Sequence, residues 1–502
     1  MGIRSFLSKP LAKYTRAKID KWATNAVATQ QNVFESLISV GKATLYGQDH
    51  NFKDIRSHKD FVKNVPINDY EDLKGYIQQV IDGKPDVLWK NKPIYFAKTS
   101  GTTSGTKYIP LTKESIPYHI GGARDAFLCY IEETKKSEFL DGNMMFLSGS
   151  PELDLKGHIP TGRLSGIVNH HVPGYLRSNQ VPSFKTNCIE DWETKLDQVV
   201  AETIKANMTL IGGIPPWVQM YLDRLEQKSG KKAAELFPNL SIYVYGGVNF
   251  EPYKAKIYES FGKKLDGIET YPASEGFIAY QDRRNEQGLL LLLNSGVFYE
   301  FIPVSEYFSP NPTRLTIQEV EIGVNYALIM TTNAGLWAYS IGDTIKFVSK
   351  DPYRIVVTGR IKHFLSAFGE HVIGEEIDKA MRDACAKHPG AVVTEFTVAP
   401  QVTPAEGLPY HEWFVEFDNP PADVKGFVKD LDAALVKYNV YYDDLISGNI
   451  LRPLVLNIMY KNTFIDYMKS IGKLGGQNKL PRLSNDRKIA DALTAFISQT
   501  IK

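Results

Sequence analysis

The chain has 502 residues, of which 43% are hydrophobic, and this is enough to bury a sizeable core in more than one domain. Its 58 basic and 57 acidic residues leave a net charge of +1, so no overall field favours nucleic acid. Three widely separated cysteines fit neither a disulfide framework nor a zinc site, and no apolar run is long enough to span a bilayer. These features predict a cytoplasmic protein.

The N-terminal region is predicted to begin with two helices, because residues 10–44 place apolar side chains at helical spacing. A further helix is expected to begin at Asp69, a good N-cap residue. The first 21 residues carry six basic side chains against one acidic side chain, as an organelle transit peptide or a membrane-surface helix can. We expect instead a basic helix face that packs on its own domain.

Between about residues 140 and 360, short apolar runs alternate with helix-like segments, which is typical of a large α/β unit with buried sheets. The predicted strands are 144–147, 208–211, 242–245, 289–293, 327–331 and 355–357. The predicted helices between them are 191–206, 217–228 and 253–261. Ligands of such units usually bind where loops leave the strand ends.

The pair Gly359-Arg360 closes this region, and a smaller α+β unit is predicted to follow it. Its expected helices are 375–386 and 424–438, and its expected strands are 392–398, 412–417 and 455–459. The Pro- and Gly-rich stretch around 399–409 is expected to connect two of these strands as an exposed hairpin loop. The chain is therefore divided into an N-terminal domain, 1–359, and a C-terminal domain, 360–502.

The most informative stretch is 99–110, which reads Thr-Ser-Gly-Thr-Thr-Ser-Gly-Thr-Lys-Tyr-Ile-Pro. Glycines let backbone N–H groups turn toward an anion, hydroxyl groups donate to its oxygens, and a lysine adds charge. The residues that suit a polyphosphate in this way are Ser100, Gly101, Thr102, Thr103, Ser104 and Lys107. The spacing is not that of a Walker A loop, and a flexible Ser/Thr/Gly turn is the alternative. Because 94–96 is apolar, the loop is expected to leave a strand end.

Two further clusters could hold parts of a nucleotide. In Glu269-Thr-Tyr-Pro-Ala-Ser-Glu-Gly276, Glu275 could bind Mg²⁺ and Tyr271 could stack on adenine; an ordinary surface loop is the alternative. In Tyr339-Ser-Ile-Gly-Asp343, the carboxylate of Asp343 could accept hydrogen bonds from ribose hydroxyls. The alternative for this cluster is a Gly-Asp hairpin turn between strands 338–341 and 344–348.

A fourth cluster, 472–482, is a Gly-rich segment with three cations, Lys473, Lys479 and Arg482, which a mobile loop could bring to a site elsewhere. The alternative is a basic tail segment. Together the four clusters provide a phosphate loop, a metal carboxylate, an aromatic ring, a ribose acceptor and a lysine. These parts fit an enzyme that binds ATP with Mg²⁺.

In this order the segments SGTTSGTKYIP, YPASE, YSIGD and GR resemble the acyl-acid amido synthetases of the auxin-responsive Gretchen Hagen 3 family. That family belongs to the adenylate-forming enzymes, with acyl-CoA synthetases and luciferase. The resemblance implies an α/β fold, with a large N-terminal domain that binds ATP and the acyl substrate and a smaller α+β C-terminal domain that acts as a mobile lid. The chain is similar to a bacterial-type member, and no plant-type signature is found in the acyl pocket, so the sequence does not support an auxin or jasmonate substrate.

The resemblance also assigns roles. Residues 100–107 would clasp the ATP phosphates, Tyr271 and Ser274 would contact the nucleotide, and Glu275 would bind Mg²⁺ during catalysis. Asp343 would hold the ribose, Arg360 would lie at the hinge near the nucleotide, and Lys479 would be the catalytic C-terminal lysine. The chain departs from the family pattern at two positions, because Pro272 stands where Ala is more usual and Ser340 stands where Arg is frequent.

The implied reaction is the ATP-dependent adenylation of a carboxylic acid, followed by transfer of the acyl group to the amine of an amino acid. The first alternative is an acyl-CoA ligase that uses the same acyl adenylate. More distant alternatives are a phosphotransferase that releases ADP and an ATP-binding sensor without activity. Arg124 could meet a substrate carboxylate, although a solvated helix face is the expected environment.

Overall fold

The structure is a computed structural model. It describes residues 2–100, 106–172, 174–248, 250–361, 364–365, 372–447, 450–474, 479–484 and 487–501. The chain divides into two units. The larger unit comprises Met1–Val248, Ile257–Ile341 and Ile345–Val357, and the smaller unit comprises Asn249–Lys256, Gly342–Thr344 and Thr358–Lys502. The domain boundary at 359/360 and the lid motion stay predictions.

The helices alternate with strands along much of the chain. In chain order they are α1 (Ile3–Ala23), α2 (Ala26–Gly41), α3 (Leu45–Asp49), α4 (His58–Asn64), α5 (Tyr70–Ile81), α6 (Ile116–Thr134), α7 (Leu164–His170), α8 (Gly174–Arg177), α9 (Phe184–Asn187), α10 (Trp192–Thr203), α11 (Pro215–Ser229), α12 (Ala233–Leu236), α13 (Glu251–Phe261), α14 (Gly374–Lys387), α15 (Val424–Tyr438), α16 (Val440–Ser447), α17 (Thr463–Ser470) and α18 (Lys488–Leu493). Among the described residues, no helix combines the length and the apolar character that crossing a membrane requires.

The strands, in chain order, are β1 (Tyr95–Ser100), β2 (Thr106–Leu111), β3 (Asn143–Phe146), β4 (Asp154–Lys156), β5 (Ile159–Gly162), β6 (Gln180–Val181), β7 (Met208–Gly212), β8 (Ile242–Gly246), β9 (Asp266–Pro272), β10 (Phe277–Tyr280), β11 (Leu289–Leu291), β12 (Val297–Pro303), β13 (Asn325–Thr332), β14 (Tyr339–Lys350), β15 (Tyr353–Arg360), β16 (Phe364–Leu365), β17 (Val372–Ile373), β18 (Val392–Gln401), β19 (Tyr410–Asn419), β20 (Val455–Met459) and β21 (Ile497–Ile501). Every strand and helix that the sequence predicts between 140 and 460 overlaps one of these elements.

The central sheet has the strand order β12-β13-β14-β15-β11-β10-β9-β8-β7-β3-β6. Strands β9, β8, β7, β3 and β6 form its parallel part, and β10 and β11 continue it in antiparallel pairing. Every residue of β7 is buried, as expected for a parallel strand that is covered on both faces. A second sheet, β2-β1-β5-β4, carries the hairpin that contains the predicted phosphate loop.

Local signals explain why the N-terminal helices begin where they do. Asp69 caps α5, because its side chain accepts from Glu71 N at 2.8 Å while Asp72 accepts from Asp69 N at 2.7 Å. The predicted N-cap is therefore confirmed. Helix α1 packs on its own unit as expected, mainly by a face of small residues. Of its basic side chains, Arg16 takes part in this packing, because it pairs with the buried Asp282 at 2.7 Å, whereas Lys13, Lys18 and Lys21 are exposed.

The smaller unit has its own sheet and core. Its sheet order is β18-β19-β20-β21, with β18 and β19 joined as the predicted hairpin. Helices α14 and α15 pack against each other, and their apolar residues share one core with those of the sheet, including Trp413, Phe427 and Leu431. This unit is an α+β structure, as predicted, although β21 and α16–α18 were not predicted from the sequence.

Candidate active site

The predicted phosphate loop is the connection of a β-hairpin. Strands β1 and β2 pair in antiparallel fashion, with Ser100 opposite Thr106 and Thr99 opposite Lys107. The prediction that the loop leaves a strand end is therefore confirmed. Four of the predicted phosphate contacts lie outside the described residues: Gly101, Thr102, Thr103 and Ser104. Ser100 is described as the last residue of β1, and its phosphate contact stays a prediction.

Tyr70, at the start of α5, contacts the far side of this hairpin. Its hydroxyl accepts a hydrogen bond from Tyr108 N at 3.0 Å, and Lys107 Nζ lies 5.7 Å from its ring centroid. The Tyr70 side chain is buried, and burial raises the pKa of its phenol. We infer that Tyr70 fixes the strand that carries Lys107. Sequence reasoning did not assign Tyr70 a role, although an aromatic residue at the start of a capped helix was visible there.

Ser274 and Glu275 occupy the tip of the β9–β10 hairpin. Ala273 N donates to Gly276 O at 3.0 Å and Gly276 N donates to Ala273 O at 3.3 Å, so Ser274 and Glu275 are the two central residues of the turn. A Cβ atom at Gly276 would lie 3.1 Å from Met330 Cε, so a small residue suits this position. Glu275 is half-buried, and it lies in a short turn between two paired strands.

Tyr271 lies three residues before this turn and belongs to the core of the larger unit. Only 8% of its surface is exposed, and it clusters with Ile278, Leu291 and Met330. Contact of Tyr271 with an adenine ring stays a prediction, as does contact of Ser274 with the nucleotide.

Three of the predicted site residues meet in the smaller unit. Arg360 Nε lies 2.9 Å from Asp343 Oδ1, and the Asp343 side chain is 11% exposed against 53% for Arg360. Gly342 precedes Asp343 with φ +82°, which an L-residue adopts only with strain. The alternative hairpin turn at Gly342-Asp343 is wrong, because β14 continues through both residues.

Lys479 is electrostatically coupled to this pair. Its pKa is lowered to about 8, first by desolvation and then by the Arg360 guanidinium, while Asp343 acts in the opposite direction. The residue retains an exposed surface, so solvent screens part of these interactions. The carboxylate, the guanidinium and the lysine thus form one group that can hold an anion or a polyhydroxyl ligand.

The short segment 479–484 is fixed through Arg482. Its guanidinium pairs with Asp378 at 3.1 Å and with Glu395, and Nη2 donates to the Tyr253 hydroxyl at 3.1 Å. It also lies 4.1 Å from the ring centroid of Phe396. Backbone bonds add to this anchor, because Val398 N donates to Arg482 O at 2.9 Å and Ser484 N donates to Val398 O at 3.0 Å.

Two other arginines differ in their surroundings. Arg124 is 61% exposed and pairs with the adjacent Asp125 at 2.8 Å, so the expected solvated helix face is confirmed. Arg163, at the N-terminus of α7, is half-buried; burial lowers its pKa, and its side chain packs on Gly149, where a Cβ would lie 2.6 Å from Arg163 Cδ. Sequence reasoning missed Arg163, because its packing against Gly149 depends on the fold.

Ser340, the departure from the usual arginine, is explained by its neighbours. It is 7% exposed, its hydroxyl accepts from the Tyr307 hydroxyl at 2.8 Å, and its N–H donates to Asn68 O at 2.8 Å. Within the described residues, no group of three or more His, Cys, Asp or Glu residues could hold a metal. A Mg²⁺ ion at Glu275 would therefore depend on ligand phosphates and water, which is the usual way in which Mg²⁺ is held.

This fold is that of the adenylate-forming ligases. It superimposes on the structure titled AtGH3.15 acyl acid amido synthetase in complex with 2,4-DB with a TM-score of 0.81 and 17% identity, covering 98% of this chain and 97% of that one. It is also similar to a 2-hydroxyisobutyryl-CoA ligase in the postadenylation state, with a TM-score of 0.61 and 13% identity over 95% and 92% of the two chains.

The chain belongs to the GH3 family. Residues 15–180 match the GH3 family N-terminal domain, 290–360 match the central domain and 375–488 match the C-terminal domain. Among its relatives, indole-3-acetic acid-amido synthetase GH3.3 of Arabidopsis thaliana is 22% identical over 96% of this chain and 93% of its own length. Jasmonoyl-L-amino acid synthetase GH3.5 of Oryza sativa subsp. japonica is 21% identical over 95% and 96%. The resemblance found in the sequence is thereby confirmed.

Proposed function

We propose that this chain is an acyl acid amido synthetase, which activates a carboxylic acid with ATP and transfers the acyl group to an amino acid. The observation that carries the proposal is the match to all three GH3 domains in order along the chain. The hairpin of β1 and β2 falls in the N-terminal domain of that match. The Asp343–Arg360 pair falls in the central domain, and Lys479 falls in the C-terminal domain. Relatives named as synthetases of indole-3-acetic acid and jasmonoyl amides support the same reaction class.

In the first step, a carboxylate oxygen of the acid attacks the α-phosphorus of ATP. A new P–O bond forms, the bond to the β-phosphate oxygen breaks, and pyrophosphate leaves. The step brings two anions together, so cations must offset the charge. We assign this role to Lys107 on the hairpin and to Lys479, while Asp343 accepts hydrogen bonds from the ribose hydroxyls and Arg360 lies beside it.

In the second step, the amine of an amino acid attacks the acyl carbon. A C–N bond forms, the C–O bond to AMP breaks, and the amine loses its proton. The mixed anhydride is sensitive to water, so exclusion of water by the smaller domain would protect it.

The metal is expected to be Mg²⁺ held by Glu275. A carboxylate oxygen is a ligand that this hard cation prefers, and one carboxylate with substrate phosphates is a common set. Glu275 fits this role because it is half-buried and lies at the tip of a turn fixed by two backbone hydrogen bonds. When bound, the ion would neutralise charge on the phosphates.

The test is ATP–pyrophosphate exchange across a panel of aryl and aliphatic acids, repeated with each amino acid present. An acyl acid amido synthetase gives acid-dependent exchange, and with the correct amine it gives AMP and an amide. Formation of an acyl-CoA thioester with no amide would favour the CoA ligase. Release of ADP would indicate a phosphotransferase, and no exchange with any acid would favour a sensor.

Two variants test the residue roles. Glu275→Ala should slow exchange at saturating ATP by about a hundredfold to a thousandfold, as the loss of a charge-stabilising group does. Asp343→Ala should weaken ATP binding by about tenfold or more, the usual effect of losing hydrogen bonds to a charged acceptor. Glu286→Ala, which removes an exposed carboxylate from another loop, is the control. A drop of only a few fold for Glu275→Ala, or unchanged ATP affinity for Asp343→Ala, would contradict the respective assignment.

A further inference from the structure

Over residues 3–15, helix α1 packs against the rest of the larger unit by small side chains and exposes its large ones, whereas Ile19 and Trp22 pack inward near its C-terminal end. Its buried residues are Ser5, Ser8, Ala12, Thr15, Ile19 and Ala23. The Ser5 Oγ lies 2.5 Å from Asp141 Oδ2 and 2.8 Å from Ser137 O, either of which can accept its hydrogen, so a polar contact as well as close packing holds this face. The orientation is the reverse of an ordinary amphipathic surface helix, in which the large apolar residues face the core.

The N-terminal part of the exposed face of α1 is apolar. Its exposed large side chains, with their exposed fractions, are Ile3 (79%), Phe6 (67%), Leu7 (60%), Leu11 (48%) and Tyr14 (60%). At 3.6 residues per turn these five side chains lie within an arc of roughly 140°. Exposed apolar side chains are normal when scattered, but a contiguous strip on one helix indicates an interaction surface.

The same helix is strongly basic. Its cations are Arg4, Lys9, Lys13, Arg16, Lys18 and Lys21, and its one acidic residue is Asp20. Arg16 pairs with Asp20 at 2.6 Å and with the buried Asp282 at 2.7 Å, which leaves the other five cations in excess along α1. Lys13, Lys18 and Lys21 are exposed, and they lie on the edge of the apolar strip and beyond its C-terminal end.

We propose that α1 docks the protein on an anionic phospholipid surface, lying in the plane of the interface. The apolar half would enter the boundary between headgroups and acyl chains, and the basic residues would contact lipid phosphates. Phe6 and Tyr14 are aromatic residues of the kind that favour this boundary. The inference is independent of the proposed function.

The positive charge of α1 favours an anionic membrane over a second copy of the chain as the partner of this face. Two α1 helices brought face to face would set two strongly basic surfaces against each other, which opposes association. An anionic membrane offers the complementary charge together with an apolar layer that adapts to a convex helix.

The test is co-sedimentation of the full chain with vesicles of phosphatidylcholine alone or with about a third phosphatidylglycerol. Binding to the anionic vesicles should be at least about tenfold stronger and should weaken in high salt. Phe6→Ser combined with Leu7→Ser should abolish binding, and Lys13→Glu combined with Lys18→Glu should remove the preference for anionic lipid. All four positions face solvent, so the thermal melting temperature and exchange activity should stay unchanged.

Matched controls come from elsewhere on the surface of the larger unit. Phe308→Ser removes a phenylalanine that is 64% exposed, and Lys59→Glu combined with Lys63→Glu reverses two exposed charges on α4. These controls should bind vesicles like the wild type. Equal binding to both vesicle types, or α1 variants that bind normally, would overturn the proposal. Light scattering that shows a dimer lost in the Phe6/Leu7 variant would also overturn it, because the face would then join two copies.

Discussion

Lys479 combines two properties that oppose each other. As a candidate partner of phosphate it should carry a proton, yet desolvation and the nearby Arg360 guanidinium lower its pKa to about 8. The ammonium form therefore predominates below about pH 8 and is lost above it. Binding of ATP would add negative charge and favour the ammonium, so the free-enzyme pKa is reported by kcat/KM for ATP rather than by kcat.

The first prediction concerns the pH dependence of adenylation. If the ammonium of Lys479 is required, kcat/KM for ATP should level off below about pH 8 and fall above it. Arg360→Gln removes a cation that disfavours the ammonium, so the pKa should rise and the falling limb should move to higher pH. Arg360→Lys keeps the charge and should leave the limb in place. If the falling limb of kcat/KM does not move in Arg360→Gln, the electrostatic coupling of Arg360 to Lys479 is contradicted, whatever the variant does to the rate.

At the level of elements, the segment 479–484 is short and has little regular structure of its own. Its position depends on contacts with β18, on Asp378 in α14 and on Tyr253 in the part of α13 that belongs to the smaller unit. Arg482 makes most of these contacts with a single guanidinium, whose planar fork can reach two carboxylates at once. Arg482 is therefore a positioning residue for Lys479.

The second prediction is that Arg482→Lys impairs adenylation, although it keeps the charge. A lysine cannot hold Asp378, Glu395 and Tyr253 together, so Lys479 should move away from its desolvated place and its pKa should rise. We expect a loss of about tenfold or more in kcat/KM, together with a falling pH limb shifted upward. Arg487→Lys is the control, because Arg487 pairs with Glu412 at 2.8 Å and with Asp491 at 3.1 Å outside this segment. If Arg482→Lys slows the enzyme but leaves the falling limb of the pH profile in place, the role of Arg482 is purely structural.

Elements whose signals are local were predictable from the sequence. The N-cap of α5 follows from Asp69 and Asp72, and β7 follows from an apolar run that parallel strands require. The turn chemistry of Gly342-Asp343 was misleading as a hairpin signal, because pairing within the central sheet, which is not local, carries β14 through it. For α1, the sequence predicted that a basic face packs on the domain, but the buried face consists mainly of small residues, because helical spacing does not show which face packs.

The parts of the candidate site also fall into two classes, those that depend on local sequence and those that depend on the fold. The loop at 99–107 and the loop around Glu275 were predictable because each is one contiguous motif, although their β-hairpin pairing was not predicted. The contact of Asp343 with Arg360, the coupling of both to Lys479 and the contacts of Arg482 join residues that are far apart in the chain. They could be assigned a role by resemblance, but their distances and electrostatic effects depend on the folded structure.

At the scale of the whole molecule, each unit has a hydrophobic core of its own. The core of the larger unit includes Leu328 and Met330, and that of the smaller unit includes Leu431 and Leu435, all four of them fully buried. A unit with a separate core can lose its structure separately. Because Asp343, Arg360 and Lys479 all belong to the smaller unit, adenylation should be lost when that unit unfolds.

The last prediction compares Leu431→Ala with Leu328→Ala by calorimetry of the full chain. Each substitution removes a leucine that is 0% exposed and should cost its own unit about 2–5 kcal/mol. Leu431→Ala should lower one thermal transition by roughly 5 °C or more and leave the other in place, and Leu328→Ala should do the reverse. ATP–pyrophosphate exchange, measured as the temperature rises, should disappear with the transition that Leu431→Ala shifts. If both substitutions lower a single transition equally, the two units unfold as one cooperative body, and loss of activity on heating cannot be assigned to the smaller unit alone.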